Sequence, residues 1–314
     1  MDYKLCNYNG YYVNNAKEYL NAIRSNYFVI AYDARKRNKM IEDMNTLINY
    51  NSSVDLYAYA SLLYDSNNKD DIGKCSNILD IIASWNYIPA KYLLGQLHFS
   101  GKAVEKDLDK FFSLISEAAD NNFMLAKNAL ALAYFNGYGC KVDEAKGVKL
   151  LEECANAKLG VGYFNIGYCY FSGSYGYPEN KNKAFEYYKI AADQYYAPGG
   201  YNIGLMYLNG TGCSKSTEKG LKELIKAADL GHLKAQKKVA DAYYFGDITR
   251  KNLDKAYEYY LLAAENGDPY SMYSVGYMII NNQKPSVDRI KGYTWIRRAA
   301  EAGNESAIKL LNNL

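Results

Sequence analysis

Residues able to carry out catalysis are scarce in this chain. Histidine, a frequent general base and metal ligand, occurs only at His98 and His232. The sequence contains neither an HExxH motif nor a Walker A loop. We interpret His98 as a core ring and place His232 in a turn between helices. The sequence therefore predicts no catalytic residue, no metal site and no cofactor.

Three S-x-x-K tetrads could still pair a serine nucleophile with a lysine, as in enzymes that act on β-lactams. They lie at Ser66–Lys69, Ser216–Lys219 and Ser306–Lys309. The K-T-G and S-D-N motifs that accompany such a nucleophile are missing. Ser216 and Ser306 also stand where helices are predicted to begin, which gives both a structural reason to be serine. Hydrolysis of this kind is kept only as an alternative.

Cysteine use and hydropathy indicate a location. The six cysteines contain no C-x-x-C pair, and the N-terminal stretch MDYKLCNYNGYYVNN has no apolar run of the signal-peptide kind. We therefore expect reduced thiols and a cytoplasmic protein. Nowhere do about 18 apolar residues follow one another, so no membrane span is predicted. The cysteines are Cys6, Cys75, Cys140, Cys154, Cys169 and Cys213.

Charge and composition narrow the class of partner. The chain has 37 basic and 34 acidic residues, a net charge of +3, which is too balanced for a protein that binds nucleic acid through its phosphates. Hydrophobic residues make up 49% of the chain, enough for a core, and tyrosine is unusually frequent at 35 residues. We expect a protein or peptide partner and no nucleic acid.

The elements that position these residues repeat along the chain. A pair of small residues ending a helical segment recurs in steps of 36 or 37 residues, and a fixed period of this size is typical of a helical solenoid. Each repeat packs only on its neighbours, so one elongated domain can run the whole length. The pairs are Ala118–Ala119, Cys154–Ala155, Ala191–Ala192, Ala227–Ala228, Ala263–Ala264 and Ala299–Ala300.

Within each repeat, the pattern predicts a helix A, a turn, a helix B and a second turn. Helix A carries a small residue where two helices approach closely, a ring three places later and a turn residue after three more. Helix B starts on a side chain able to cap it. The small residues are Gly95, Ala131, Gly167, Gly204, Ala240 and Gly276. The turn residues are Gly101, Gly137, Gly173, Gly210, Gly246 and Asn282, and the caps are Asp107, Asp143, Asn180, Ser216, Asn252 and Asp288.

This repeat resembles the Sel1-like repeats, relatives of the tetratricopeptide repeats. The resemblance rests on segments such as GYFNIGYCYFSG, which begins at Gly162, and NLDKAYEYYLLAAENG, which begins at Asn252. It implies an all-α, right-handed superhelical solenoid that acts as a non-catalytic scaffold or adaptor. Two alternatives stay open. One is the β-lactamase-like or penicillin-binding activity attributed to cysteine-rich relatives, and the other is a structural subunit of a large assembly.

The same register divides the chain into segments. Residues 1–16 form a lead-in, 17–88 two degenerate helical pairs that cap the array, 89–304 six clear repeats, and 305–314 a closing helix. Terminal repeats are often atypical because they cover an open apolar face. We expect all of these segments to form one continuous solenoid. The six clear repeats are 89–124, 125–159, 160–196, 197–232, 233–268 and 269–304.

Two stripes along helix A are the candidate binding surface, since positions three or four apart share a helix face. The first stripe lies three places before the small residue and holds Tyr92, Asn128, Phe164, Tyr201, Lys237 and Tyr273. The second lies one place after it and holds Gln96, Leu132, Tyr168, Leu205, Asp241 and Tyr277. By analogy with related solenoids, we expect helix A to line the concave face, where the whole first stripe, Tyr168, Asp241 and Tyr277 would contact the partner. Tyrosine suits such a surface, although the first stripe could equally pack between repeats.

Overall fold

The structure, a computed structural model, describes residues 11–13, 15–25, 30–32, 36–66, 68–284 and 287–313. The chain divides into two compact units, Met1–Tyr196 and Ala197–Leu314, called here the N-terminal and the C-terminal unit. Both are built from helices, which confirms the predicted fold class. Among the described residues, no helix is long and apolar enough to cross a membrane.

The N-terminal unit holds ten helices in its described part. The first four precede the clear repeats, and the other six form repeats 1 to 3 as A and B helices in turn. They are α1 (Ala16–Arg24), α2 (Arg37–Leu47), α3 (Ser53–Tyr64), α4 (Lys69–Ser84), α5 (Ile88–Ser100), α6 (Leu108–Asp120), α7 (Met124–Asn136), α8 (Glu144–Asn156), α9 (Gly160–Ser172) and α10 (Lys181–Asp193).

The C-terminal unit continues the same alternation through repeats 4 to 6 and ends on one further helix. Ala307 of that helix is buried against the last repeat, as expected of a segment that covers an open face. The helices are α11 (Ala197–Asn209), α12 (Thr217–Asp229), α13 (Leu233–Phe245), α14 (Leu253–Glu265), α15 (Pro269–Ile280), α16 (Arg289–Glu301) and α17 (Glu305–Asn312).

The first fifty residues differ from the sequence prediction. In the segment interpreted as one helical run, residues 16–33, helix α1 ends at Arg24 and Ile30–Tyr32 (β2) is a strand. It pairs in parallel with Tyr11–Val13 (β1), within the stretch predicted as a lead-in. Both strands are rich in aromatic and β-branched residues, which favour extended backbone over helix. Of the remaining lead-in, Asn15 caps α1 and Ala16 begins it, and the other residues lie outside the described part of the chain.

The register of the clear repeats also fails in this region. Stepping back by 36 residues predicts Leu47 at a core position, but Leu47 is exposed on α2. The same step predicts Asp71 as the cap of α4, whereas Asn68 is the cap and Asp71 instead accepts a hydrogen bond from the Ser66 hydroxyl. The N-terminal helices share one apolar cluster with α5, the first helix of the clear repeats, and the buried Asp55 among them accepts two hydrogen bonds from Arg24.

In the six clear repeats, the predicted caps are all in place. Each capping side chain accepts a hydrogen bond from a backbone N–H in the first turn of helix B, which satisfies a donor that the helix itself leaves free. The distances run from 2.8 Å at Asp107 to 3.3 Å at Ser216. The predicted turn residues likewise have positive φ, from 57° at Asn282 to 76° at Gly246.

Small residues let the two helices of a repeat meet. A Cβ added to Gly204 on α11 would lie 2.7 Å from Cγ of Leu224 on α12. One added to Gly147 on α8 would lie 2.4 Å from the ring of Phe135 on α7. Both distances are too short for non-bonded carbon atoms, so larger residues at these positions would force the helices apart.

In four of the six clear repeats, a lysine on helix B contacts a tyrosine ring on helix A. In four successive repeats, a lysine in the first turn of helix B lies over the tyrosine ring of helix A, with the ammonium 5.0–5.8 Å from the ring centroid. A cation at a helix N-terminus opposes the helix dipole, and the ring face offsets that cost. The pairs are Lys146–Tyr134, Lys183–Tyr170, Lys219–Tyr207 and Lys255–Tyr243.

Candidate protein-binding surface

The A helices present the two stripes differently. First-stripe side chains mostly contact the residue that begins helix A of the next repeat, 31 or 32 places further along the chain. In the N-terminal unit, the ring of Tyr92 packs edge-on against Phe123, with centroids 5.4 Å apart. Phe164 packs in the same way against Tyr196 at 5.3 Å. These rings join one repeat to the next.

Burial of these aromatic contacts between repeats raises the pKa of the tyrosine hydroxyls. Desolvation raises the pKa of Tyr92 above its ordinary value and raises the pKa of Tyr196 to about 12. A hydroxyl kept from water in this way stays neutral at physiological pH. Tyr92 and Tyr196 therefore act as packing rings with a neutral polar edge.

Asn128, the first-stripe residue of repeat 2, is also buried. Its side-chain oxygen accepts a hydrogen bond from Nδ2 of Asn165 at 2.6 Å, and Asn165 lies on helix A of the following repeat. A buried amide is stable only when such partners are present. Asn128 thus serves the junction between repeats 2 and 3.

Two first-stripe residues in the C-terminal unit make the same connection. Tyr201 packs against His232, with ring centroids 4.8 Å apart and the ring planes tilted by 38°. Lys237 pairs with Asp268 at 3.1 Å, and its ammonium lies 5.1 Å from the ring centroid of Tyr270. The same contact between a first-stripe residue and the start of the next helix A is therefore aromatic in one repeat and ionic in the following one.

His232 has a defined role that the sequence interpretation missed. Its Nδ1 accepts a hydrogen bond from the backbone N–H of Ala235 at 3.2 Å, so the ring is the N-cap of α13. Burial, with a smaller contribution from Lys234, lowers the pKa of His232 to about 4. The imidazole is therefore neutral at pH 7, as an acceptor must be.

Three apolar members of the second stripe reach solvent, whereas the fourth, Leu205, is partly buried against the core of the C-terminal unit. Leu132 on α7 is 38% exposed and Tyr168 on α9 is 50% exposed, at equivalent places of successive repeats in the N-terminal unit. In the C-terminal unit, Tyr277 on α15 is 38% exposed. We call the side of the A helices that carries Leu132, Tyr168 and Tyr277 the A face.

Asp241 and Tyr273 are engaged within the C-terminal unit. Asp241 accepts hydrogen bonds from the hydroxyls of Tyr260, at 2.5 Å, and Tyr270, at 3.4 Å. Tyr273 lies against Tyr277 with ring centroids 5.8 Å apart. Tyr270, 39% exposed on the A face, was missed because its position in the repeat is not aromatic elsewhere. Its ring lies between Lys237 and Asp241, so this part of the A face is both aromatic and charged.

The lengthened turn of repeat 3 folds back on its own unit. Tyr175 stacks on Phe135 of repeat 2, with ring centroids 3.9 Å apart, and Tyr177 packs edge-on against Tyr170 at 4.9 Å. The extra residues therefore add contacts between repeats 2 and 3.

The six clear repeats match the model of a known protein family. The family model for the Sel1 repeat matches residues 88–123, 125–158, 160–196, 201–232, 233–268 and 269–304, more than half of the chain. The chain belongs to the Sel1 repeat family. Members of this family commonly mediate protein–protein interactions.

Two curated relatives match part of this Sel1 repeat chain. Protein sel-1 homolog 2 of Homo sapiens is 27% identical over 104 residues, which cover 33% of this chain and 15% of that protein. Chitin synthase regulatory factor 2 of Schizosaccharomyces pombe is 27% identical over 111 residues, 34% of this chain and 22% of that protein. The matches thus span less than a quarter of either relative's length.

Solved structures share the fold over most of the chain. A Sel1 repeat protein from Oxalobacter formigenes superposes with a TM-score of 0.57 at 24% identity, covering 83% of this chain and 99% of that one. A protective antigen of uropathogenic Escherichia coli with an SLR fold gives 0.55 at 24% identity, covering 85% and 57%. An immunity protein of Pseudomonas aeruginosa gives 0.54 at 17% identity, covering 68% and 81%.

The three S-x-x-K serines of this Sel1 repeat chain lie in ordinary structural positions. The buried Ser66 donates to Asp71 at 2.8 Å, and Ser216 caps α12. The ammonium of Lys219 lies over the ring of Tyr207. The backbone N–H of Lys219 donates to the Ser216 hydroxyl. Ser306 is exposed on α17.

Other reactive groups are dispersed. His98 is buried, with Nδ1 3.3 Å from the carbonyl of Glu105. Within the described part of the chain, no three His, Cys, Asp or Glu side chains are grouped closely enough to hold a metal ion. Burial raises the pKa of Cys154 to about 12, which disfavours its reactive thiolate. Cys6 lies outside the described residues, and the free thiols are Cys75, Cys140, Cys154, Cys169 and Cys213.

Proposed function

We propose that this chain is a non-catalytic adaptor that binds a partner protein through the A face. The observation that carries the proposal is the exposure of large apolar side chains at one repeated position, Leu132 and Tyr168 in successive repeats and Tyr277 in the C-terminal unit. Exposed apolar groups cost free energy in water, and a partner that covers Leu132 and Tyr168 would remove this cost in two neighbouring repeats.

Within this proposal, the nine residues predicted as the binding surface divide into two roles. Tyr168 and Tyr277 would contact the partner directly, and tyrosine is well suited to this because it brings a large area at low entropic cost. First-stripe residues and Asp241 would hold successive A helices in register. The first-stripe residues are Tyr92, Asn128, Phe164, Tyr201, Lys237 and Tyr273.

The proposal is tested by affinity capture from the source cell with matched variants. The double substitution Leu132→Ala and Tyr168→Ala should lower recovery of the specific partner at least tenfold, about 1.4 kcal/mol. The control is Tyr50→Ala with Ile190→Ala, which removes a tyrosine and an aliphatic residue that are 58% and 40% exposed outside the A helices of the same unit. Circular dichroism should be unchanged in both proteins. Equal recovery with the two double variants would refute the proposal.

A further inference from the structure

A second candidate surface lies away from the A face, in the C-terminal unit. Between helix α12 and the turn that follows α13 there is an open groove of about 530 Å³, within the size range of small binding sites. Its floor is apolar and its rim is charged. The lining residues are Thr217, Glu218, Leu221, Lys222, Ile225, Lys226, Ile248 and Thr249.

Corresponding places in the N-terminal unit are filled by the turn of the next repeat. Against α6, the turn of repeat 2 comes so close that a Cβ on Gly139 would lie 2.1 Å from the carbonyl oxygen of Leu108. Against α8, the turn of repeat 3 adds Tyr175 and Tyr177 to the apolar cluster that contains Val148. In both places the turn itself closes the groove.

The next groove along the C-terminal unit shows how one side chain can fill it. Lys284, in the turn after α15, lies with its ammonium 5.4 Å from the ring centroid of Tyr257 on α14. The same ammonium pairs with Asp254 at 2.5 Å. The pKa of Lys284 is raised first by the hydrogen bond that its ammonium donates to Asp254, and further by the negative charges of Asp254 and Glu258. The Lys284 side chain thus occupies this groove, with its ammonium at the acidic rim.

One repeat earlier, each of these positions is different. Thirty-six residues before Lys284 stands Ile248, whose side chain is shorter than that of lysine and carries no charge. Leu221 stands in place of Tyr257, and Lys222 in place of Glu258. The groove therefore has an apolar floor that lacks the lysine of the next repeat. Its rim keeps a carboxylate at Glu218, in place of Asp254, but is basic at Lys222 where the next groove has Glu258.

The rim charges indicate what could enter. Lys222 and Lys226 are exposed, and Glu218 is the one carboxylate among the lining residues. Lys226 pairs with Glu223 at 2.8 Å, whereas within the described residues no carboxylate lies within ion-pair distance of Lys222. The whole unit has sixteen basic and twelve acidic residues. An acidic occupant is favoured, because charge complementarity both attracts the partner and orients it.

We propose that this groove binds a partner protein through one large aliphatic side chain flanked by acidic residues. The aliphatic group would lie on Leu221, Ile225 and Ile248, and a neighbouring carboxylate would pair with Lys222. This site is separate from the A face, so it does not depend on the function proposed above.

A selection with random twelve-residue peptides displayed on phage tests the proposal on the full chain. Clones selected on wild type are rescored on Ile248→Lys, which recreates the lysine of the next repeat opposite Glu218 and fills the groove from within. Clones that bind should lose at least tenfold in affinity for this variant and should share a leucine, isoleucine or methionine beside two or more acidic residues. They should bind the Leu132→Ala, Tyr168→Ala protein as well as wild type.

A second variant keeps the proposal falsifiable if Ile248→Lys alters folding. Lys222→Glu changes an exposed residue, and it should weaken the same clones at least threefold while circular dichroism and the thermal midpoint stay at wild-type values. Three results would overturn the proposal: binders indifferent to both variants, groove-dependent binders rich in basic residues, or no groove-dependent clone at all. Self-association of wild type that Ile248→Lys abolishes would also overturn it, by assigning the groove to a second copy of the chain.

Discussion

The two units build the same turn, from helix B to the next helix A, in different ways. In the N-terminal unit the residue with positive φ is never glycine and is, in order, Asn86, Asn122, Lys158 and Tyr195. In the C-terminal unit it is always glycine, at Gly231, Gly267 and Gly303. The left-handed conformation costs most residues with a Cβ roughly 1–2 kcal/mol, although asparagine tolerates it. The turns at Lys158 and Tyr195 are therefore strained, and the glycine turns of the C-terminal unit are not.

The residue that follows the turn differs in a complementary manner. In the N-terminal unit, Tyr87, Phe123 and Leu159 are buried and make no side-chain cap to the helix they begin. In the C-terminal unit, His232, Asp268 and Asn304 each accept a hydrogen bond from that helix. The N-terminal unit thus combines turns without glycine with buried apolar residues. The C-terminal unit combines glycine turns with polar caps. A single repeat pattern therefore permits two distributions of stability.

The largest expected effect comes from truncating the residue that begins helix A. Phe123→Ala should lower the opening free energy of α7, measured by native-state hydrogen exchange, by about 3–5 kcal/mol, because a fully buried ring is lost. At the matching position in the C-terminal unit, Asn304→Ala should cost α17 about 1 kcal/mol, the contribution of a cap. Equal losses at the two positions would remove the distinction between the units.

Acid should affect one C-terminal helix selectively. The folded-state pKa of His232 is about 4, below its ordinary value of 6.5, so folding favours the neutral ring. Its contribution is complete above pH 6.5 and is lost as the pH falls towards 4. We expect α13 to lose about 1–2 kcal/mol of opening free energy over this range, allowing for solvent screening. His232→Asn keeps a cap without a titrating group and should flatten the dependence, and an unchanged slope in that variant would contradict the assignment.

The smallest effect is an exchange of turn residues between the units. Lys158→Gly should raise the stability of repeats 2 and 3 by roughly 1 kcal/mol, and Gly267→Lys should lower that of repeats 5 and 6 by a similar amount. Thermal midpoints and hydrogen exchange of the flanking helices would measure both. Changes of the same sign in the two variants would show that the turns are not the source of the difference.

The sequence predicted the repeats well because their signals are local. Caps such as Asp107 and turn glycines such as Gly246 act within a few residues, and their period of 36 makes each one support the others. The register failed before the first clear repeat, at Leu47 and again at Asp71. Two strands of three residues carry too little alternation to be recognised, and a register extrapolated to Leu47 had no local cap to correct it.

The division between the two stripes could not be predicted from helix periodicity alone. Phe164 of the first stripe and Tyr168 of the second lie one turn apart on the same helix, so periodicity assigns both to one face. Only the partner residue separates them, because Phe164 packs on Tyr196 of the next repeat. The sequence does contain a signal for such contacts between repeats. Lys237 and Asp268 have opposite charges and lie 31 residues apart, the same separation as Tyr92 and Phe123.

The central claim is that the exposed second stripe of the A helices is where a partner binds. Its most direct measurement is photo-crosslinking in the source cell, with a photoreactive phenylalanine replacing Tyr168 in one protein and the exposed control Tyr50 in another. We expect the Tyr168 position to give one dominant crosslinked partner and the Tyr50 position to give none. Crosslinks to the same partner from Tyr50 alone, or from neither position, would contradict the account.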